Sequence, residues 1–256
     1  MSSRCTVISK ISIVTPVYND RRVERALGSI LSQECSPEIE TIVIDGGSTD
    51  GTLEVLEKYR ARLTCLVSEK DRGIYDAMNK GIARATGDVV GILNADDCYA
   101  DNRVLADVID RFSDVSVEVC YGDLVYVDRN DRVVRYWRSG PYRNRNFYLG
   151  WMPPHPTFFV RRQLYEKYGV FDTGLPISAD YELMLRMIVG QRAKPAYVDR
   201  VLVRMAVGGN SGRSVRQIVR ANIEVARAWR KNRLAGGLLV PILKPARKIV
   251  QFFSRP

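Results

Sequence analysis

Short apolar strands and amphipathic helices alternate through the first hundred residues, and this alternation restricts the fold more than any other feature. Strand-like runs cover residues 11–15, 40–44, 63–67 and 88–93, and apolar residues at helical spacing fill the intervals between them. Strands and helices that alternate at this pace form βαβ units. We therefore predict an α/β fold with a mostly parallel sheet flanked by helices.

Polar and glycine-rich segments follow each of these four strands. They are PVYND at 16–20, DGGS at 45–48, EKDRG at 69–73 and NADD at 94–97. In open sheets of parallel strands, ligands bind outside the carboxyl ends of the strands. The sequence therefore predicts one binding site built from four loops.

The fourth of these segments places two carboxylates, Asp96 and Asp97, directly after the apolar run at 89–93. Adjacent ionised carboxylates repel one another and are costly to remove from water, so this arrangement favours a cation site. The alternative is that one of the two caps a helix that begins near residue 103.

The second half of the chain has a different character. Residues 120–137 alternate like a hairpin, and a long polar and aromatic loop follows at 138–154. Loops of that length are often functional. Further patterns predict a strand at 157–160, a helix at 178–190 and a strand at 197–203.

Net charge divides the chain in two. The total is +10, and residues 213–256 contain eleven Lys and Arg against the single acid Glu224, so residues 1–212 are electrically balanced. We predict a globular domain over 1–212 and a basic, amphipathic, helical segment over 213–256. Mixed apolar and basic residues fit a helix on an anionic membrane surface, and the alternative is a helix packed on the domain.

Cysteine usage and the remaining composition narrow the location and the partners. The five cysteines form no CxxC pair, which favours reduced thiols and a cytoplasmic protein. The first residues lack the features of a signal peptide, and no run approaches the ~20 apolar residues that span a bilayer. No recognised nucleic-acid-binding module is present, so we expect no nucleic-acid partner.

Four stretches, in this order, carry a family resemblance: TPVYND, VIDGGSTDGT, DRGIYDAMNKGIARATGD and GILNADD. Together they resemble the inverting family-2 glycosyltransferases of the GT-A fold, over roughly residues 9–210. The resemblance implies a nucleotide-binding half at 1–100 and an acceptor-binding half at 101–212. It also implies sugar transfer from a nucleotide-diphosphate donor, usually a UDP-sugar, to an acceptor hydroxyl, with Mg²⁺ or Mn²⁺ on the diphosphate.

The same resemblance implies roles for residues in the first half. Asp96 and Asp97 hold the metal, and Asn94 stands where the family often has a first carboxylate. Asp45 accepts a hydrogen bond from the nucleobase edge, although an Asp before Gly also forms turns. The other residues expected around the nucleotide are Pro16, Val17, Tyr18, Asn19, Asp71, Asp76, Asn79, Asn94 and Asp96. Of these, Asp76 equally suits a helix N-terminus.

An inverting transfer needs a general base beside the acceptor hydroxyl. Family members carry an Asp at the head of a helix with the pattern Glu-Asp-Tyr-x-Leu-x-Leu-Arg, which residues 179–186 match except for Ala179. We expect Asp180 to be the base. Glu182 is the rival candidate for the base. The alternative for Asp180 is that it only stabilises the N-terminus of the helix.

Three further residues are candidates for contact with the acceptor or the diphosphate. His155 is the only histidine, Trp151 lies beside it, and Arg213 follows a glycine-serine loop. A packed histidine and a core tryptophan are the alternatives for the first two.

The leading hypothesis is therefore an inverting, metal-dependent glycosyltransferase, peripheral at the cytoplasmic membrane face, with a lipid-linked or polysaccharide acceptor. Asn94 and Ala179 depart from the family pattern and keep open a degenerate nucleotide-sugar-binding or scaffold protein. A sugar nucleotidyltransferase is less favoured because no glycine-rich loop with a basic residue follows the first strand. A dinucleotide-dependent oxidoreductase needs a GxGxxG motif that the chain lacks.

Overall fold

The computed structural model describes residues 7–207, 215–235 and 240. The strands are β1 Lys10–Val17, β2 Glu38–Asp45, β3 Cys65–Ser68, β4 Val89–Ile92, β5 Asp97–Tyr99, β6 Val119–Val127, β7 Val133–Trp137, β8 Phe159–Arg161 and β9 Pro195–Ala206. The helices are α1 Val23–Leu31, α2 Thr52–Tyr59, α3 Ile74–Ile82, α4 Val104–Phe112, α5 Arg162–Tyr168, α6 Ala179–Met184 and α7 Val215–Lys231. A wider, π-helical segment at Leu185–Gly190 continues α6.

These strands form one mixed sheet in the order β3-β2-β1-β4-β8-β6-β9-β5, with β7 paired to β6. Strands β3, β2, β1 and β4 are parallel neighbours, whereas β8 is antiparallel to both β4 and β6. The predicted α/β class, the four strands separated by three helices in the first half, and the hairpin of β6 and β7 are confirmed.

Helices cover both faces of the sheet because successive strand residues point to opposite sides. Ile11 and Ile13 of β1 pack with residues of α1, α2 and α4. Val14 packs in a separate cluster with residues of α3, α5, α6 and α7. Two apolar cores therefore fix the sheet between helical layers and leave the strand ends for loops.

Two local details differ from the sequence prediction. The sequence favours Thr49 or Asp50 as the N-cap of the second helix, but α2 starts after Gly51, whose φ of +93° lies in the left-handed region that glycine tolerates. Asp50 instead accepts hydrogen bonds from the backbone and hydroxyl of Thr52. Asp97, expected in a loop, begins the short strand β5, which pairs with β9.

The basic segment was expected to start at 213, but its first helix packs on the domain. Trp229 of α7 is buried, and its indole N–H donates to the Tyr181 hydroxyl at 2.8 Å. The helical spacing of Val219, Ile223 and Trp229 predicts one shared apolar face, but Val219 and Ile223 are 52% and 48% exposed. Helix α7 therefore packs in the same core as α6, which is the alternative that the sequence left open for this segment.

None of the helices described in the structure has the length and apolarity required to traverse a membrane.

Candidate active site

The parallel strands β1, β2 and β3 end side by side and present their loops together. Pro16 and Val17 are buried at the end of β1, whereas the Tyr18 ring that follows is 63% exposed. Asn19 has a positive φ of 47°, donates its N–H to a serine hydroxyl at 2.7 Å and accepts an N–H at 2.8 Å, both from residues 48–49. Asn19 therefore ties two loops together and leaves Tyr18 as the open aromatic surface.

Asp45 ends β2 and is fully buried. Its carboxylate accepts the N–H of Gly47 at 3.2 Å, the N–H and hydroxyl of Ser48, and the hydroxyl of Ser68 at 2.6 Å. The side chain therefore holds the turn, as the turn-forming interpretation expects. It is not open to a nucleobase in this arrangement.

The Asp71 carboxylate and the Tyr18 ring both lie close to Gly46. Asp71 Oδ1 accepts the N–H of Gly73 at 2.8 Å. Its Oδ2 lies where a Cβ on Gly46 would clash, and that same Cβ would come within 3.3 Å of the Tyr18 ring. The missing side chain at Gly46 thus allows the Asp71 carboxylate and the Tyr18 ring to approach one another.

The remaining predicted residues of α3 make contacts within the protein. The Asn79 amide exchanges two 2.9 Å hydrogen bonds with the backbone of Phe171. Asp76 accepts hydrogen bonds from the backbone and guanidinium of Arg72, which hold the pKa of the Asp76 carboxyl below its usual range. These two side chains therefore support the frame of the site, and Asp76 follows the helix-terminus interpretation.

The acidic pair lies where β4 gives way to β5. Asp97 is fully buried, and its Oδ2 accepts the Asn94 amide N–H at 3.0 Å. Asp96 is partly exposed and has Arg22 Nη2 at 3.4 Å. Burial raises the pKa of Asp96, and it raises the pKa of Asp97 well above its ordinary value, with the neighbouring Asp96 charge adding to the effect.

The donor atoms here fit a divalent cation. Within the described part of the chain, Asn94 Oδ1 and Asp97 Oδ1 are buried and have no hydrogen-bond partner. No group of three or more His, Cys, Asp or Glu side chains is arranged for a metal in residues 7–207, 215–235 and 240. A site of few oxygen ligands suits Mg²⁺ or Mn²⁺, which keep positions for water and phosphate oxygens. Asp96 and Asp97 do not cap helix α4, because Asp101 is the acid that accepts the Arg103 N–H at the start of that helix.

A cavity of about 480 Å³ extends from this strand end to α7. Asn94 of the first half and Asp180 of the second half both line it. The other polar residues of its lining are Tyr75, Tyr126, Arg135, His155, Ser178 and Asn222. The structure therefore brings Asn94 and the predicted base Asp180 to one cavity, whereas the predicted metal ligands Asp96 and Asp97 lie next to Asn94 and are not part of the cavity lining.

Asp180 lies in the first turn of α6, and its Oδ1 is 3.2 Å from the Tyr75 hydroxyl. The rival Glu182 is fully buried and bonded to Arg186 through Nε and Nη2, at 3.0 Å each, and to the Asn232 amide. Glu182 is thereby occupied as a structural ion pair. Of the two acids, Asp180 alone lines the cavity.

His155 also lines the cavity, with its ring edge-on to Phe171 at 5.5 Å between ring centroids. Burial lowers the pKa of the imidazole, and the nearby Asp180 charge opposes that effect. The histidine is therefore neutral at pH 7 and presents both a donor and an acceptor nitrogen.

Trp151, the second of these candidates, is not part of the cavity lining. Trp151 is buried in the aromatic core, where its indole N–H donates to Ser139 O at 2.8 Å. Its ring is edge-on to Tyr121 and to Phe147, as the core interpretation expects. Arg213 lies outside the described residues.

A protein-family model described as glycosyl transferase family 2 matches residues 12–169, which is more than half of the chain. The chain belongs to glycosyl transferase family 2.

Named relatives agree with this membership. The glycosyltransferase is 34% identical over 179 residues to an uncharacterized glycosyltransferase of Mycobacterium tuberculosis, covering 69% of this chain and 68% of the relative. It is 31% identical over 195 residues to a PGL/p-HBAD biosynthesis glycosyltransferase of Mycobacterium bovis, covering 75% and 73% of the two chains.

Solved structures support the GT-A fold of this glycosyltransferase. The mannosyltransferase PcManGT from Pyrobaculum calidifontis, in complex with GDP-Man and Mn²⁺, matches with a TM-score of 0.64 at 22% identity, covering 91% of this chain and 67% of that one. S. aureus TarS 1–349 in complex with UDP-GlcNAc matches with a TM-score of 0.61 at 19% identity, covering 89% and 68%. At these identities the likeness concerns the fold alone.

Sequence reasoning missed a supporting residue of this family-2 site. Glu224 of α7 is buried and accepts the N–H groups of Ile177 and Ser178 at 2.9 Å each, directly before Asp180. The Ser178 hydroxyl in turn donates to a carbonyl of α7. The available signal was that Glu224 is the single acid among eleven basic residues. A lone acid in such a segment indicates a specific internal partner.

Proposed function

We propose that this glycosyltransferase moves a sugar from a nucleoside-diphosphate donor, a UDP-sugar, to an acceptor hydroxyl with inversion of the anomeric centre. One observation carries the proposal. Asn94 and Asp180 are 86 positions apart in the numbering, and yet both line one cavity at the carboxyl end of the parallel strand β4. That is the place where open α/β sheets bind ligands.

The donor nucleoside binds at the ends of β1 and β2. The exposed Tyr18 ring stacks on the base, and the Asp71 carboxylate beside it accepts an N–H from the base edge. The buried Asp45 carboxylate supports this surface by holding the turn at Gly46 and Gly47. The solved TarS complexes with UDP and UDP-GlcNAc are consistent with a uridine donor.

Asp96 and Asp97 hold the divalent metal, with Asn94 Oδ1 as a further oxygen next to them. When bound, Mg²⁺ or Mn²⁺ offsets the negative charge that develops on the departing diphosphate. The complex of PcManGT with GDP-Man and Mn²⁺ supports this assignment. Arg22 lies beside Asp96 and adds positive charge at the same edge.

Asp180 acts as the general base. The acceptor oxygen attacks the anomeric carbon from the side opposite the diphosphate and loses its proton to the Asp180 carboxylate. The bond from the anomeric carbon to the diphosphate oxygen breaks, and the nucleoside diphosphate leaves with that electron pair. A single displacement of this kind inverts the anomeric centre.

The acceptor carries an apolar group as well as the hydroxyl. Apolar side chains from four parts of the fold line the cavity beside Asp180, namely Ile74, Met78, Met152, Met205 and Ile218. A lipid-linked acceptor matches this lining, and a relative named for PGL/p-HBAD biosynthesis supports the assignment. The acceptor therefore belongs to cell-surface glycan synthesis.

The outer face of α7 brings the enzyme to that acceptor. Val219 and Ile223 are about half exposed on this helix, and its arginines at 216, 220, 227 and 230 are exposed around them. Basic residues near an anionic bilayer contribute about 1 kcal/mol each. We therefore assign a peripheral position at the cytoplasmic membrane face.

The test is nucleotide-sugar turnover with Mn²⁺ and with EDTA, for the wild-type protein and for Asp180→Asn. We expect EDTA to abolish turnover and Asp180→Asn to lower it by ~10²- to 10⁴-fold, the usual contribution of a general base. Asp110→Asn, an exposed acid on α4, serves as the matched control and should be fully active. Undiminished turnover by Asp180→Asn contradicts the mechanism, and binding of UDP with Mn²⁺ without any turnover identifies a degenerate binding protein.

A further inference from the structure

The Tyr75 hydroxyl connects the donor half of the enzyme to the proposed base. It lies 3.2 Å from Asp180 Oδ1 and 3.1 Å from Ile177 O, on the segment just before Asp180. The Tyr75 ring stacks on Phe171, with 5.5 Å between ring centroids, and lines the same cavity. None of the sequence motifs gave this tyrosine a role, although it lies between Asp71 and Asp76.

A phenol has one proton, and here two acceptors lie within reach of it. An ionised carboxylate is the stronger acceptor, so the proton points to Asp180 while the base is charged. Once Asp180 has taken the proton of the acceptor hydroxyl, its carboxyl group is neutral and can donate. The Tyr75 proton can then turn to Ile177 O, and the Tyr75 oxygen accepts from Asp180 without any movement of the ring.

We propose that Tyr75 is a positioning residue that holds the general base through both of its protonation states. The inference rests on the proposed role of Asp180. It assigns to α3 of the nucleotide-binding half a direct function in the acceptor half. Because Asp71 and Asp76 flank the same turn, the loop that borders the donor also fixes the base.

The surroundings support a neutral phenol in this position. Burial raises the pKa of Tyr75 well above its ordinary value, and the Asp180 charge raises it further, so the hydroxyl keeps its proton at neutral pH. Other charged or titratable groups lie on the elements packed around the cavity. Tyr126 of β6, Arg135 of β7 and His155 line it with Asp180, and Glu224 is bonded to the 177–178 backbone.

The test is Tyr75→Phe, which keeps the ring on Phe171 and removes only the hydroxyl. We expect kcat to fall by about tenfold to a hundredfold, the effect of one hydrogen bond to a charged group, with the KM for the donor unchanged. Without its donor the base ionises less readily, so the acidic limb of the kcat–pH profile should move to higher pH.

Tyr136→Phe is the matched control, because its hydroxyl also bonds a buried carboxylate, that of Asp123, away from the cavity. We expect this variant to keep the wild-type pH profile. The variant Tyr75→Phe with Asp180→Asn should be no slower than Asp180→Asn alone, since the two groups act as a unit. Thermal unfolding and UDP titration of each variant check that the fold and the donor site are intact.

The outcomes separate this inference from the proposed function. Full activity of Asp180→Asn would overturn the base assignment and this inference with it. An inactive Asp180→Asn together with a Tyr75→Phe variant of unshifted pH profile would overturn the role of Tyr75 alone. A loss in Tyr75→Phe that appears only as lower stability or a higher donor KM would equally contradict it.

Discussion

The two halves of this glycosyltransferase, the proposed donor half at 1–100 and the proposed acceptor half from 101 onward, are built in different ways. In the donor half, the parallel register places Val17 beside Asp45, and Asp45 beside Ser68, so three strands end together. In the acceptor half, Asp180 depends on remote elements, because Tyr75 of α3 reaches its carboxylate and Glu224 of α7 holds the backbone before it.

This difference predicts which property a substitution in each half should change. Strand register and short turns fix the donor loops, so a substitution of a side chain that faces the proposed nucleotide site should change nucleotide affinity and little else. Contacts between distant segments fix the base, so a substitution there should change turnover, stability or both. Four predictions test this division, from the largest expected effect to the smallest.

Trp229→Ala should give the largest effect and act on stability. The indole is 1% exposed, and its N–H bonds Tyr181 next to the base. Loss of a buried Trp costs about 3–5 kcal/mol of unfolding free energy, which urea denaturation measures. Ile223→Ala on the exposed face of α7 is the control and should cost about 0.5 kcal/mol. Equal effects of the two variants would show that α7 is no part of the acceptor half.

Asp71→Asn should weaken nucleotide binding without loss of stability. The neutral amide forms a weaker bond with a base N–H than the carboxylate does, so we expect about tenfold lower affinity for UDP with Mn²⁺ by calorimetry. Asp45→Asn is the informative partner, because it disturbs a buried turn and should lower the unfolding free energy by about 1–3 kcal/mol. If only Asp45→Asn lost affinity, the contact with the nucleobase would be assigned to Asp45 and not to Asp71.

The site residues of the donor half could be predicted from the sequence, because the polar segments that carry them follow the strands in chain order. Each polar segment comes directly after an apolar strand, and the parallel pairing of β1, β2 and β4 then brings the segments together. What the pattern lacked was the direction of single side chains. Asp45 and Asp71 both lie in such segments, and only the structure places one in a turn and the other beside Tyr18.

The site residues of the acceptor half could be predicted only in part, because the contacts that position them join segments far apart in the chain. The motif at 179–186 predicted Asp180, but nothing local indicated that Tyr75 bonds it across 105 positions. The basic character of residues 213–256 suggested a separate surface helix. Its buried face, with Glu224 and Trp229, depends on packing that charge counting does not detect.

Gly46→Ala sharpens the donor side of the comparison. The added Cβ would meet Asp71 Oδ2 and come within 3.3 Å of the Tyr18 ring. Both side chains proposed to contact the nucleobase must therefore shift. We expect UDP affinity to fall by about three- to tenfold, the effect of modest overpacking. In Gly28→Ala, the control, the added Cβ has nothing within 4 Å and should raise stability by about 0.5–1 kcal/mol. Unchanged affinity in Gly46→Ala would remove Asp71 and Tyr18 from the donor site.

The smallest effect concerns pH and the acceptor half. Burial lowers the pKa of His155 below the value of about 6.5 that it has in the unfolded chain. Between those two pKa values the unfolded chain binds more protons, so acidification below pH 6.5 must lower the unfolding free energy. Urea unfolding at pH 7.5 and pH 5.5 should give a loss of about 1 kcal/mol that His155→Gln does not have.

The opposite sign is expected from the donor half, where burial raises the pKa of Asp97 and acidification therefore stabilises the fold. That contribution is common to the wild-type protein and to His155→Gln, so the difference between them isolates the only histidine of the chain. Identical pH slopes in the two proteins would mean that the imidazole is as free to protonate in the folded state as in water. His155 would then lie in an open, hydrated cavity, and the acceptor half would not be the enclosed, apolar site that a lipid-linked acceptor requires.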